Sequence, residues 1–512
     1  MSEFSSFFEI KDVDLAGRIG RLRIRGKSLE TPAFFPVINV LKQEVSIEEI
    51  EKAGFKQLIV NAYILKKRYG DLVIQKGVHS FLGFDGVVMT DSGAYQILEY
   101  GDIEFEQKEI IDYEKAIGSD IAVILDIPTG DVDYETAKKT VEETLRRGRE
   151  AEAMIEGSDQ VWLMPVQGGR YLDLVEMSAR EAASMKGYSM YGIGSPTVFL
   201  ERYDFDVILD MIYTAKRRLP EGKPVHLFGA GHPLILPFAI ALGIDTFDSA
   251  SYILYARDER YMLESGVYDL KELDYLPCNC SVCSSKSVED LKTAEASEKT
   301  RLLALHNLYV IKKSIEKTKQ AIREGRLWEY LVELSASHPK AYECLLKMRR
   351  YMKYLEERTP EAEGRIKALR FSRLESVWNP KVIRYYKRIA SVLDGLLKKA
   401  EKLILRPFLD ETECLLDYDF ERRDQAIVIY YRPYLGLIPE KLCGTYPTTQ
   451  SVFSGLQDSR VVDLLANSVR ALASKAKKEG VQVVVEYCNR VYWQRAVGVE
   501  ARELGLEVVE RC

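Results

Sequence analysis

The sequence predicts an α/β fold built on a closed (β/α)8 TIM barrel, and three observations predict it. Between about residues 31 and 249, short apolar runs rich in Val, Ile and Leu repeatedly end in a polar or glycine-rich turn, and a helical pattern comes next. The runs lie at 57–60, 86–89, 121–125, 161–166, 190–193, 225–228 and 246–247, with helical stretches at 109–117, 134–155, 172–185, 205–218 and 233–242. Seven or eight such units in roughly 220 residues suit a closed barrel better than an open doubly wound sheet. No GxGxxG turn comes after the first run, which lowers the dinucleotide-binding alternative.

Composition bounds the rest. The chain has 512 residues, 46% hydrophobic and 29% charged, a globular balance that excludes wholesale disorder. Lys plus Arg is 72 against 78 Asp plus Glu, a net charge of −6, which argues against capture of nucleic acid by bulk charge. Residues 1–14 carry Glu3, Glu9, Asp12 and Asp14 and lack the pattern of a signal peptide. The longest apolar run, 233–244, is too short to span a membrane and contains Pro237. The expected compartment is the cytoplasm, and a framework of disulfides among the eight cysteines is not expected there.

The residues just past each strand carry the chemistry. Asp91 comes after 86–90, Asp126 after 121–125, and Gln167-Gly168-Gly169 after 161–166. Gly192-Ile193-Gly194 closes the next run, Gly229-Ala230-Gly231 the one after, and Asp248 the last. In a parallel barrel these positions converge on one rim, where the active sites of such barrels lie. Each Asp could simply cap the next helix. Three independent caps at the one place where chemistry happens is a weaker explanation than a site.

After Ser249 the barrel pattern breaks. Cys278, Cys280 and Cys283 form a CxCxxC knuckle, and His306 stands downstream on a helical segment over 298–323. Zinc takes four tetrahedral ligands from Cys and His, and these four residues supply all of them. Four protein ligands leave no open position, so one structural zinc per chain is expected. Residues 346–404 read as a basic helical linker, and 405–512 as a small α/β domain. That domain has strands at 426–431, 481–486 and 506–509 and a helix at 460–478. Its cysteines, Cys414, Cys443, Cys488 and Cys512, lack ligand spacing and read as inert.

Four motifs in order resemble one family. Asp91-Ser92-Gly93-Ala94-Tyr95-Gln96, Val166-Gln167-Gly168-Gly169, Phe247-Asp248-Ser249-Ala250-Ser251-Tyr252 and the knuckle with His306 are similar to the archaeal tRNA-guanine transglycosylases. The resemblance spans about residues 30–345. It implies a barrel domain over 1–345, with its zinc segment at 250–310, acting as a pentosyltransferase. The implied reaction replaces guanine at position 15 in the tRNA D-arm with 7-cyano-7-deazaguanine (preQ0), an early step towards archaeosine. It further implies that Asp248 is the nucleophile and Asp91 the acid and base, with Ser92 among the residues that bind the substrate. A PUA domain, frequent in the family, is not evident before Cys512, so a separate PUA-domain chain is one partner to expect, and a homodimer another.

The residue types agree with that chemistry. Glycosyl transfer through an oxocarbenium-like transition state suits two carboxylates, one attacking the anomeric carbon and one moving protons. Asp126 can accept both the ring N–H and the amino group of a guanine-like edge. Gln167 and the backbone at Gly194 are expected to read the opposite edge, and Tyr95 to stack on the base. For the RNA, basic clusters stand at Lys66-Lys67-Arg68, Arg146-Arg147, Lys216-Arg217-Arg218, Lys312-Lys313 and 347–350. Three other readings compete. A non-catalytic tRNA-binding partner subunit would be expected to have lost a catalytic carboxylate, and both stand here. An archaeosine synthase paralogue is disfavoured by the complete zinc set, and a generic barrel hydrolase by Gln167-Gly168-Gly169 and the knuckle.

Overall fold

The computed structural model describes residues 7–94, 105–361, 367–408, 426–454 and 457–512. The chain divides into two compact units, one of residues 1–327 with 333–351 and one of residues 328–332 with 352–512.

The first unit opens with an antiparallel sheet that the apolar periodicity does not single out. Its strands are β1 (Phe8–Asp14), β2 (Gly17–Ile24) and β3 (Lys27–Thr31). Eight parallel strands then close a barrel. They are β4 (Ala33–Ile38), β5 (Gln57–Asn61), β6 (Val87–Asp91), β7 (Ile121–Val123), β8 (Val161–Val166), β9 (Met190–Ile193), β10 (Val225–Leu227) and β11 (Thr246–Ser249), in sequence order around the ring. β11 returns beside β4, with Thr246 opposite Ala33 and Ser249 opposite Pro36. The eighth strand that periodicity left open is β4. Its Pro36 removes a backbone donor and masks the strand signal.

The β1–β3 sheet packs across the N-terminal ends of the barrel strands. Phe8, Leu22, Ile24 and Leu29 join Phe35, Ile59, Met89, Val123 and Leu163 of the barrel interior in one apolar cluster. Charged contacts rim this seal. Arg18, 6% exposed, meets the fully buried Asp245 at 2.7 Å, and Lys27 meets Asp120 at 2.8 Å. Breaking a pair as buried as Arg18 with Asp245 costs about 3–5 kcal/mol because the remaining charge is left uncompensated.

Helices cover the outside, among them Gln107–Ile117, Tyr134–Ile155, Leu172–Ser184 and Phe205–Lys216. Past the barrel come the hairpin of β12 (Arg260–Leu263) with β13 (Gly266–Asp269), the cysteine knuckle, and the long helix Ala296–Arg323. No helix among the described residues is long and apolar enough to cross a membrane.

The second unit starts well before residue 405. Its parallel pair β14 (Leu369–Phe371) and β18 (Ser451–Phe453) and its helix Pro380–Leu397 belong to the same core as the main sheet. That sheet has five strands: β15 (Lys402–Pro407), β16 (Ala426–Arg432), β17 (Gly436–Pro439), β19 (Gln482–Tyr487) and β20 (Glu507–Glu510), in spatial order β17-β16-β15-β19-β20. The stretch 346–404, read from sequence as a linker, is therefore shared between the two units. Its apolar residues Val382, Tyr385, Ile389 and Leu393 at helical spacing are buried core. Two of the cysteines read as inert are bonded, Cys488 to Cys512, which ties the C-terminal residue to the end of β19. Ligand spacing could not reveal this pair, because strand pairing of β20 with β19 is what brings the two residues together. Cys443 is also disulfide-bonded, and Cys414 lies outside the described residues.

Candidate active site and metal centre

At the C-terminal ends of the barrel strands lies a cavity of about 450 Å³. Asp91, Asp126, Gln167, Gly194 and Asp248 all line it, together with apolar walls from Val37, Ile59, Val123 and Phe228. Parallel strands bring these residues together because each closes, or lies just past, a different strand at the same rim. Ser92 is fully buried beside Asp91 and is not part of the lining. Tyr95 lies outside the described residues.

Asp91 ends β6 and receives a hydrogen bond of 3.4 Å from the Asn61 amide at the end of β5. Desolvation raises its pKa to about 7, with the Asp126 and Asp248 charges adding to the rise. Asp126 stands three residues past β7, since Ile124 and Leu125 continue beyond the paired strand. It is 7% exposed, and burial raises its pKa to about 6 against the opposing hydrogen bond from Gln167.

Gln167, expected to read the opposite edge of the base, lines the cavity and is also held by three hydrogen bonds within the protein. Its Nε2 donates to Asp126 Oδ2 at 2.5 Å, while its Oε1 accepts from Ser195 Oγ at 2.8 Å and from the Thr129 backbone at 3.2 Å. The amide is thus a clamp on Asp126. Gly194 is needed for this packing, because a Cβ there would sit 2.2 Å from the Gln167 amide.

Asp248, on β11, is 8% exposed. Its Oδ1 accepts from the Gly229 N–H at 2.9 Å and lies 2.9 Å from His226 Nε2. Gly229 reaches this pose at φ +66°, a conformation that favours glycine. His226 is a residue that the motif reading missed. Its signal was positional: it pairs in register with Thr246, two residues before Asp248, so both side chains share one barrel face.

The four cysteine and histidine ligands come together as the spacing predicted, with donor atoms all within 4.8 Å of one another. Cys280 Sγ and Cys283 Sγ lie 3.5 Å apart, and His306 Nδ1 lies 3.5 and 3.4 Å from them. Ligands about 2.0–2.3 Å from a tetrahedral ion would be spaced by about 3.5–3.8 Å, so the set fits a metal. His306 Nε2 donates to the Met262 carbonyl at 2.8 Å, which fixes the tautomer that leaves Nδ1 free to ligate. Tyr261 stacks on the His306 ring at 3.7 Å. The next residue, Asn307, donates to the Tyr252 carbonyl at 3.1 Å and accepts from the Met262 N–H at 2.9 Å. Sequence spacing alone gave no reason to single Asn307 out.

The basic clusters are largely engaged within the fold. Arg146 and Arg147 both pair with Glu143, Lys313 with Glu264, Lys347 with Asp210, and Arg218 with Glu176. Lys312 donates to the Ala53 carbonyl, and Lys66 sits 4.8 Å over the Phe105 ring.

A closed parallel barrel whose C-terminal rim gathers three carboxylates around one cavity, with a separate Cys3His cluster that could hold a metal ion, defines a (β/α)8 enzyme. Residues 13–340 match the family described as queuine tRNA-ribosyltransferase, and the chain belongs to that family, whose members are pentosyltransferases. It is 51% identical to the tRNA-guanine(15) transglycosylase of Aeropyrum pernix over 99% of this chain and 100% of that one. To the protein of the same name from Sulfolobus acidocaldarius it is 45% identical, over 93% of this chain and 95% of that one. To that of Methanocaldococcus jannaschii it is 40% identical, over 88% of this chain but 69% of the longer relative.

Proposed function

We propose that this chain exchanges the guanine at position 15 of tRNA for preQ0 by double displacement on the archaeosine route. The observation that carries the reading is the convergence of Asp91, Asp126 and Asp248 on one cavity in a chain that covers the whole Aeropyrum pernix transglycosylase at 51% identity. Asp248 attacks the anomeric carbon of the nucleotide, forming a carboxylate ester as the bond to guanine breaks. Asp91, carrying a proton, gives it to the departing guanine. It then takes the ring N–H proton of the entering base as that base displaces Asp248. No water and no net proton is consumed, and the strand stays covalently held while bases change places. Ionised Asp126, held by Gln167, accepts the two N–H groups of the guanine-like edge. Gly194 supplies backbone close to the same edge, Tyr95 stacks on the base, and Ser92, buried beside Asp91, backs the base site.

Zinc is the metal that the Cys3His set suits, one per chain and with a structural role. It organises the segment 250–310, and no step of the exchange runs through it.

The test is transfer of labelled guanine into unmodified tRNA and its release by preQ0. Wild-type protein should also give an RNA–protein adduct that survives denaturation, and Asp248→Asn should give neither exchange nor adduct while still binding tRNA. Exchange by Asp248→Asn at a near wild-type rate would sink the nucleophile assignment. A wild-type chain that binds tRNA without exchanging guanine would be a binding subunit instead.

A further inference from the structure

We propose that His226 is a positioning residue that selects which oxygen of Asp248 attacks. The inference rests on the reading of Asp248 as nucleophile. His226 lies on β10, is fully buried, and is opposite Thr246 in the strand register. Its ring is flanked by Phe35 and Phe228, with centroids 6.3 and 4.5 Å away, so it cannot swing without displacing the barrel interior.

The hydrogen bonds fix its role. Nε2 is 2.9 Å from Asp248 Oδ1, and an ionised carboxylate can only accept, so Nε2 carries the proton. Nδ1 pairs with Thr246 Oγ1, 2.9 Å away and itself fully buried. Both ring nitrogens in the line from Thr246 to Asp248 are thus held by a fixed partner. The Gly229 N–H lands on the same Oδ1 at 2.9 Å. Two donors therefore converge on Oδ1, while among the described residues no hydrogen bond reaches Oδ2.

This asymmetry matters because a carboxylate nucleophile has two equivalent oxygens unless its surroundings distinguish them. Donors on Oδ1 draw charge there and lock the carboxylate rotation, which leaves Oδ2 as the atom that bonds to the anomeric carbon. In the ester, Oδ1 becomes the carbonyl oxygen, still facing His226 and Gly229. When the entering base displaces Asp248, the bond from Oδ2 to the anomeric carbon breaks and the carboxylate charge returns. The same two donors stabilise it as it returns.

Three variants test this by steady-state exchange of labelled guanine and by adduct trapping. His226→Leu should lower kcat about 10–100-fold while KM for tRNA and for preQ0 stays within about 3-fold, the scale of one hydrogen bond to a charged group. His226→Gln, which returns an N–H donor at similar reach, should recover about 10-fold of that loss. Thr246→Val, which is isosteric and remains informative should His226→Leu not fold, should lower kcat several-fold because the imidazole is no longer held at Nδ1. Unchanged kcat in Thr246→Val or His226→Leu overturns the proposal. So does a fall that His226→Gln fails to relieve, or one shared equally by KM. Peptide mapping of the trapped adduct separates this from the parent reading: an adduct on Asp91 would overturn Asp248 as nucleophile whatever His226 does.

Discussion

Gln167 donates to Asp126 across 2.5 Å, and the Gly194 backbone leaves just enough room for that amide to lie there. A carboxylate so buried would otherwise hold its proton, since desolvation disfavours the charged form. The pair therefore favours the ionised Asp126 that the proposed base site requires.

Base affinity should rise with pH as Asp126 ionises at about 6. The ionised form accepts two hydrogen bonds from a guanine-like edge and the protonated form accepts fewer, so binding strengthens from about pH 5 and levels off above about 7. Titration of preQ0 into the protein by calorimetry across this range measures it. Asp126→Asn should lose at least about 1–3 kcal/mol of base binding at neutral pH and show a flat profile. A wild-type profile without slope between pH 5 and 7 would contradict the assignment.

Asp91 should set the alkaline side of the rate. Its pKa near 7 means that the free protein loses the donated proton as pH passes that value, so kcat/KM for guanine exchange should fall above about pH 7. With Asp126 setting the acid side, the optimum should be narrow and near neutrality. Asp91→Asn should drop exchange at least about 100-fold and leave no alkaline limb to measure. A rate constant that holds up to pH 9 in the wild type would show that another group moves the proton.

Behind Asp91, Glu114 is fully buried, and the Thr90 hydroxyl donates to it at 2.7 Å. Burial holds its carboxyl well above the usual range. The folded protein thus keeps a proton that the unfolded chain releases, so this group's contribution to stability is fully present at low pH and falls as pH rises above the unfolded value near 4.5. Glu114→Gln mimics the protonated acid and should remove that slope, with a melting temperature within a few degrees of wild type at pH 5. Thermal denaturation at pH 5 and pH 8 gives the comparison. A loss of more than about 3 kcal/mol in Glu114→Gln at both pH values would mean that the ionised form is the native one.

Metal removal should act on the fold rather than on the base site. Metal analysis should find one zinc per chain, and Cys280→Ser should lower thermal stability and loosen tRNA binding while preQ0 binding is largely retained. Protein purified without chelator and containing no zinc would refute the site. Chelation that stops exchange without any change in circular dichroism would refute the structural role.

The barrel and its rim were legible because parallel strands buried on both faces write continuous apolar runs, and the polar residues just past those runs all point to one end. The knuckle was legible because three of its four thiol and imidazole groups stand within six residues of one another in the sequence. Gln167 and His226 were harder. The hydrogen bond from the first to Asp126 was not foreseen, and the second was one polar residue in an apolar strand. Both roles depend on neighbouring strands, and no local pattern encodes register across a barrel. The β1–β3 sheet was hidden for the same reason: its charged residues, such as Arg18 and Lys27, look like surface until Asp245 and Asp120 meet them.

That sheet has a consequence for traffic. With Phe8, Leu22, Ile24 and Leu29 wedged across the far end of the barrel, the cavity at the rim is a cul-de-sac. On the proposed double displacement, the evicted guanine would have no exit through the axis and would leave by the doorway through which its replacement arrives, while the tethered tRNA still stands at the threshold. Guanine and preQ0 should therefore queue for one vacancy. High guanine should stall turnover by competing with preQ0, and exchange should run backwards as readily as the two bases' relative affinities allow.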